Sequence, residues 1–144
     1  MTRTQLLLSG VLIRLQAAFT PTGETRPRFA IELFPDEPAK YRLLHPTGAI
    51  LVRQLASEYE PPAASGQRHG SITGQRPRPQ ERTVVLRLTL MFRQLNGRDG
   101  VTALLDEVKD ALWGFAPEGA RGAVWFVADG FVCDEDGIWE HALD

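Results

Sequence analysis

Residues 82–95 alternate between apolar and polar side chains, and this alternation constrains the fold more than any other part of the sequence. Arg87, Thr89 and Arg93 lie on the polar side of the pattern. The apolar side is formed by Val84, Leu86, Leu88, Leu90 and Phe92. Successive side chains of a β-strand point to opposite faces, so the pattern predicts a strand with one face in a hydrophobic core. The chain must therefore build a sheet that other elements cover.

Two segments carry apolar side chains at the spacing of an amphipathic helix. In residues 4–19 the apolar positions are Leu8, Val11, Leu12, Leu15 and Phe19. In residues 101–115 they are Val101, Leu104, Leu105, Val108, Leu112 and Phe115. Asp99 is the predicted N-cap of this second helix. Because Arg14 and Gln16 interrupt the first segment, we interpret it as a core helix rather than a signal peptide or membrane span, and we expect a soluble protein made in a reducing cytoplasm.

The remaining apolar runs predict strands. They cover residues 29–34, 41–44 as a weaker candidate, 49–59, 123–133 and 138–143, the last two joined by a turn at 134–137. Residues 60–80 differ, because Gly and Pro replace nearly all apolar side chains, which is typical of an extended loop. We predict a single α+β domain over residues 1–144 with the order α-β-β-β-loop-β-α-β-β. Its single mixed or antiparallel sheet has about five to six strands, with two amphipathic helices packed on one face.

Two helices can cover only one face of such a sheet, so the other face is expected to be open. Val85, Met91, Trp139 and either Trp125 or Phe126 are the apolar residues predicted for the open face or for an edge. The final strand is a further candidate for an exposed edge. Exposed apolar surface of this kind is typical of a protein interface.

No group of residues has the spacing of a known catalytic or metal site. His45, His69 and His141 fall in a turn, a loop and a strand, and no G-x-S-x-G motif accompanies them. Cys133 follows an apolar run and has no adjacent His, which favours a buried, inert thiol. The acidic turn at 134–137 lacks the ligand spacing of a calcium loop. We therefore expect a protein that is not an enzyme and that uses no metal or cofactor.

Residues 60–80 include a basic group without a neighbouring acid. No Asp or Glu occurs between positions 60 and 81, whereas the interval contains Arg68, His69, Arg76 and Arg78. Such a segment suits a solvated loop, a protein-docking arm or a nucleic-acid contact. We place nucleic-acid contact last, because no aromatic residue is interleaved for base stacking and the net charge of the chain is -2.

Three segments resemble the small tail-completion proteins of phages and prophages known as tail terminators. The first consists of residues 33–43 (LFPDEPAKYRL) and 45–52 (HPTGAILV). The second consists of residues 129–131 (DGF) and 135–139 (EDGIW), which look like the closing hairpin of that family, and residues 100–112 match its second helix in position. The resemblance implies a ring, usually of six subunits, that caps the tail tube, stops its polymerisation and presents a surface to the neck.

From this resemblance we expect a structural virion protein of the tail or neck, assembled in the host bacterial cytoplasm. The expected partners are further copies in a hexameric ring, the tail tube protein, a neck or head-completion connector protein and, in a contractile tail, the sheath protein. No membrane is expected, and nucleic acid only passes through the lumen of the ring. The candidate interface residues are Tyr59, Arg68, His69, Arg76, Arg78, Arg87, Arg93 and Trp139. Another neck or head-tail connector protein is the alternative, followed by a nucleic-acid-binding accessory protein.

Overall fold

The computed structural model describes residues 1–61 and 80–144, and in those ranges it contains two α-helices and five β-strands. In chain order they are α1 (Arg3–Ala18), β1 (Ala30–Leu33), β2 (Gly48–Tyr59), β3 (Arg82–Phe92), α2 (Val101–Leu112), β4 (Asp129–Glu135) and β5 (Ile138–Leu143), and a short 3-10 helix spans Pro38–Lys40. The strands form one sheet in the order β1-β2-β3-β5-β4. The predicted α+β fold, with two helices and a single sheet, is confirmed.

The sheet is mixed. β1 runs parallel to β2, whereas β5 runs antiparallel to both β3 and β4. Two backbone hydrogen bonds show the relative direction of β2 and β3: the Glu60 N–H donates to the Glu81 carbonyl, and the Arg93 N–H donates to the Thr47 carbonyl. Because residue numbers rise in one partner as they fall in the other, β2 and β3 are antiparallel.

The chain divides into two compact units. The larger comprises Met1–Gln54 and Leu86–Asp144, and it contains both helices. The smaller comprises Leu55–Val85, and its described residues are the end of β2 and the start of β3. Within the smaller unit, the Arg82 guanidinium donates to the Ser57 hydroxyl at 3.1 and 2.9 Å and lies 5.9 Å from the centroid of the Tyr59 ring.

The core of the larger unit lies between the helices and one face of the sheet. Its fully buried side chains include Leu15, Phe29, Ile50, Val52, Leu90, Phe92, Val101, Leu104 and Val108. Phe29 is central, because its ring centroid lies 4.9 Å from that of Phe19 and 5.1 Å from that of Phe92. Leu88, Leu90 and Phe92 of β3 face this core, as the alternation in the sequence predicts. Both helices therefore pack on the same face, in the arrangement expected.

The two helices begin in different ways. Thr2 caps α1 with a capping box, in which the Gln5 N–H donates to Thr2 Oγ1 at 3.2 Å and the Thr2 N–H donates to Gln5 Oε1 at 2.8 Å. At α2 the prediction of Asp99 as N-cap is wrong, because Gly100 is the N-cap and makes no side-chain cap. A Cβ at position 100 would lie 2.7 Å from the Asn96 carbonyl oxygen, so the close turn requires glycine.

Asp99 instead forms an ion pair with the segment that precedes β1. The Arg28 guanidinium donates to Asp99 Oδ1 at 2.8 Å and to Glu107 Oε2 at 3.1 Å. The Asp99 hydrogen bond is the largest cause that raises the pKa of Arg28, and Glu107 raises it further. One arginine thus connects the chain before β1 to the first turns of α2.

Residues 41–44 do not form the predicted weak strand. The chain makes the 3-10 turn at Pro38–Lys40 and then continues without regular secondary structure. The Leu43 carbonyl accepts a hydrogen bond from the Arg93 guanidinium at 2.9 Å. A side chain therefore takes the place of a neighbouring strand as the hydrogen-bond partner, and the structure has one strand fewer before residue 60 than predicted.

The second face of the sheet is covered at its centre, so the prediction of an open face is wrong there. Ala49, Leu51 and Thr89 alternate with core-facing residues, yet they are only 0%, 1% and 5% exposed. Arg53 follows Leu51 on this face, and its guanidinium lies 5.4 Å from the centroid of the Phe34 ring, at the start of the connection between β1 and β2. The centre of the sheet is thus buried on both faces.

The apolar residues predicted for the open face lie elsewhere. Trp139 stands opposite Phe92 in the register of β3 and β5, and it packs against the helix-side core, as does Phe126. Val85 is buried and Met91 is half-buried. Of this set, Trp125 is the residue that remains largely exposed.

The expectation that the final strand lies at the edge of the sheet is also wrong. β5 lies between β3 and β4, with registers that run from Leu88 opposite Leu143 to Phe92 opposite Trp139 on one side. The hairpin folds β4 to the outside because β5 carries the more apolar inward face and pairs with the core strand β3. β4 is therefore one edge strand of the described sheet, and β1 is the other.

Candidate protein-interaction surface

Large apolar side chains are exposed in the last third of the chain. Trp113 is 67% exposed and Phe131 is 56% exposed, and both are larger than side chains that usually remain in water. The other members of this exposed group are Trp125, Val127 and Val132. Soluble proteins that expose several such side chains commonly use them to bind other proteins.

Two of these exposed rings are held by neighbouring aromatic side chains. The Trp113 ring centroid lies 5.8 Å from that of Phe126. The Phe131 ring centroid lies 6.2 Å from that of Trp139 and 5.7 Å from that of His141. Because Phe126 and Trp139 also pack against the core, the two exposed rings are supported from below and presented in defined positions.

β4 presents backbone as well as side chains to solvent. In the described sheet it has a strand neighbour, β5, on one side only. A bulge interrupts its register with β5 between Phe131 and Cys133. The free edge of a strand offers unpaired N–H and C=O groups to an extended partner, and bulges commonly occur at such edges. The exposed backbone and the exposed Phe131 and Val132 therefore lie on the same element.

Residues 129–144, which form β4, the turn and β5, are strongly acidic, and we call them the acidic hairpin. They contain no Lys or Arg, and their acids are Asp129, Asp134, Glu135, Asp136, Glu140 and Asp144. Two of these have partners: Lys109 Nζ lies 2.7 Å from Asp129 Oδ2, and Arg87 contacts both Asp144 carboxylate oxygens at 2.7 and 2.9 Å. For the other four, residues 1–61 and 80–144 provide no ion pair.

Cys133 lies within the acidic hairpin and is half-buried rather than fully buried. Its Sγ donates to Glu140 Oε2 at 3.3 Å. Burial is the largest cause that raises the pKa of Cys133 to about 11, followed by this hydrogen bond and by the charge of Glu140. At neutral pH the thiol is protonated, so this site does not supply a thiolate nucleophile.

The structure places four of the predicted interface residues and gives most of them intramolecular contacts. Tyr59 is exposed beside the Arg82 guanidinium. Arg87 pairs with Asp144, and Arg93 donates to the carbonyls of Leu43 and His45. Trp139 packs against the helix-side core. Arg68, His69, Arg76 and Arg78 lie outside the described residues. The interface role of all eight residues stays a prediction.

Apart from Trp125, a candidate for the open face or an edge, the exposed group was not predicted from the sequence, and neither was the interaction role of the acidic hairpin. A signal for the hairpin is present, because 16 consecutive residues with six acids and no base are visible in the sequence alone. The exposure of Phe131 and Val132 had no such signal. An apolar run is the same in an interior strand and in an edge strand, and only the strand order distinguishes them.

Two further properties concern membranes and metals. Neither described helix is long and apolar enough to cross a membrane. Within the part of the chain that the structure describes, no cluster of three or more His, Cys, Asp or Glu side chains is arranged to hold a metal ion.

The fold and surface define a small α+β protein that presents an acidic edge strand with exposed apolar side chains. A family model described as Gp37 protein matches residues 14–144, nearly the whole chain. The chain therefore belongs to the Gp37 protein family, which is a phage-related family. No curated protein matches the sequence.

Proposed function

We propose that this protein is a tail terminator: a structural virion protein that forms a ring, caps the tail tube, stops its polymerisation and joins it to the neck. The observation that carries the proposal is membership of a phage-related family over residues 14–144. The exposed apolar side chains of the last third of the chain support it. Of the segments that resemble tail terminators, the first forms the end of β1, the 3-10 turn and the start of β2, and the others form the hairpin of β4 and β5 and helix α2. In this proposed role the protein is not an enzyme, uses no cofactor and acts in the tail or neck of the virion.

A ring requires two different surfaces on each copy, one for each neighbour. The free edge of β4 is one such surface, since it combines unpaired backbone with exposed Phe131 and Val132. The proposed partners are further copies of the chain, the tail tube protein and a neck or connector protein, with the sheath protein added in a contractile tail. Assembly takes place in the bacterial cytoplasm, and nucleic acid passes through the lumen.

Light scattering after size-exclusion chromatography tests the ring, and electron microscopy tests its place. We expect a particle of about six times the 16.0 kDa chain mass, seen as a ring, that binds the ends of polymers of the tail tube protein. A ring that binds a neck protein but never tube ends would identify a head-side connector instead. Binding to DNA that falls steeply with salt and requires Arg68, Arg76 and Arg78 would favour a nucleic-acid-binding accessory protein.

Deletion of residues 62–78 tests whether the basic loop takes part in capping. We expect the deleted protein to keep the thermal transition of the parent, because both helices and the sheet, which build the core of the described residues, are retained. We also expect tails or tube polymers of uncontrolled length in its presence. Normal tube lengths with the deleted protein would contradict a docking role for the loop.

A further inference from the structure

We propose that the acidic hairpin of one copy is the docking surface for residues 62–79 of a second copy. We call residues 62–79 the basic segment. The proposal deepens the proposed ring, because it names the two surfaces that meet between neighbouring copies.

The two surfaces carry opposite charge. After the pairs with Lys109 and Arg87, the acidic hairpin retains Asp134, Glu135, Asp136 and Glu140 without an ion pair in the described chain. Three of these acids adjoin or form the turn between β4 and β5. The basic segment carries three arginines and one histidine and no acid. Complementary potentials of this kind bring partners together rapidly and select the correct partner.

The acidic hairpin also offers backbone and apolar contacts to the basic segment. The free edge of β4 can accept an additional strand through main-chain hydrogen bonds. Residues 63–76 of the basic segment contain no proline, so each of them retains an N–H that can pair with such an edge. Ile72 is the large apolar residue of the segment, and Phe131 and Val132 of β4 are exposed. The segment thus supplies positive charge for the acids of the hairpin, backbone N–H groups for the free edge of β4 and an apolar side chain for Phe131 and Val132.

Contact between two different surfaces favours the basic segment over a second acidic hairpin as the partner of β4. Pairing β4 with β4 of another copy would bring two acidic hairpins together, and like charges oppose that contact. Pairing the hairpin with the basic segment joins two different patches, which is the head-to-tail contact that generates a ring. Every copy then donates one segment and accepts another.

Disulfide trapping in the full-length chain tests the contact directly. The natural Cys133 is first replaced, as Cys133→Ser, and thiols are introduced as Ile72→Cys and Val132→Cys. Mild oxidation should give a ladder of covalent oligomers on a denaturing gel without reductant. The matched control combines Ile72→Cys with Thr102→Cys, an exposed position on α2, and should remain monomeric. A monomer from the first pair, including one with an internal disulfide, or equal ladders from both pairs, would overturn the proposal.

Charge neutralisation separates this proposal from the proposed function. The hairpin variant carries Asp134→Asn, Glu135→Gln and Asp136→Asn, and its control carries Asp106→Asn, Asp110→Asn and Glu118→Gln at exposed positions. Light scattering should show self-association weakened about tenfold or more in the hairpin variant and by less than about twofold in the control. Rings of normal stability in the hairpin variant would refute the hairpin contact and leave the ring intact.

A labelled peptide of residues 62–79 covers the case in which the protein does not form rings. Fluorescence anisotropy should show the peptide binding to the folded wild-type protein, with affinity that falls with salt and with the hairpin substitutions. Binding under those conditions would support the docking surface although the ring had failed. No binding, or equal binding to the hairpin variant, would refute it.

Discussion

Gly48 is a glycine of the tail-terminator-like segment, and its replacement by alanine tests how closely β2 approaches β3. Gly48 is the first residue of β2. A Cβ at this position would overlap the Met91 carbonyl oxygen and the edge of the Phe92 ring, and it would lie 2.8 Å from Phe92 Cγ. Phe92 is fully buried and contacts the Phe29 ring, so it has little freedom to move away.

The expected cost follows from this rigidity. Adding a methyl group to a packed site costs about 1–3 kcal/mol. For a chain of this size each kcal/mol lowers the midpoint of thermal unfolding by about 2–4 °C, so Gly48→Ala should lower it by about 2–12 °C. Circular dichroism at one protein concentration measures the midpoint, and urea unfolding measures the free energy of unfolding.

Gly122→Ala is the matched control. Nothing lies within 4 Å of the position that its Cβ would occupy, and its φ is not in the left-handed region. This control should change the free energy of unfolding by less than about 1 kcal/mol. We expect the change to be an increase, because alanine lowers the conformational entropy of the unfolded chain. Equal urea midpoints for the two variants would refute the close contact of β2 with Phe92.

Two further predictions concern the ion pairs and the thiol. Arg28→Met removes the hydrogen bonds to Asp99 and Glu107 and should lower the free energy of unfolding by about 1–2 kcal/mol in urea titrations. The control Arg26→Met, at an exposed position, should change it by less than about 0.5 kcal/mol. Equal effects of the two substitutions would argue against the contribution of the Arg28 ion pairs. Because the pKa of Cys133 is raised to about 11, alkylation by iodoacetamide at about pH 8 should be roughly tenfold slower in the native protein than in urea, and the native rate should keep rising until about pH 11. Glu140→Gln should accelerate the native reaction and Glu118→Gln should not, and a native rate that levels off near pH 9 would contradict the raised pKa.

Local patterns in the sequence predicted most elements of the fold. The apolar stripes of α1 and α2 and the alternation of β3 identified those elements to within a few residues, because each pattern is set by contacts that repeat along one helix or strand. The prediction of a weak strand at 41–44 was wrong because the apolar residues there have no clear period. In the structure the Arg93 side chain, rather than a neighbouring strand, donates a hydrogen bond to the Leu43 carbonyl. Asp99 failed as a cap because its stronger partner, Arg28, is distant in sequence.

The run of buried residues from Ala49 to Val52 indicates from the sequence alone that β2 is covered on both faces. Four consecutive apolar residues indicate a strand buried on both faces, whereas a strand with one open face alternates. That pattern was sufficient to predict a covered second face at β2. The same pattern does not identify the residues that provide the cover.

The sequence alone determined the number of helices, the main strands, the acidic character of residues 129–144 and the basic character of residues 62–79. These properties depend on composition and on contacts between near neighbours. Tertiary structure decided that β5 is interior and β4 is the edge, that Trp139 faces the core while Phe131 faces solvent, and that Arg87 neutralises Asp144. Pairing between distant strands sets all three, and an apolar strand has the same local pattern whether a neighbour covers its edge or leaves it open to a partner.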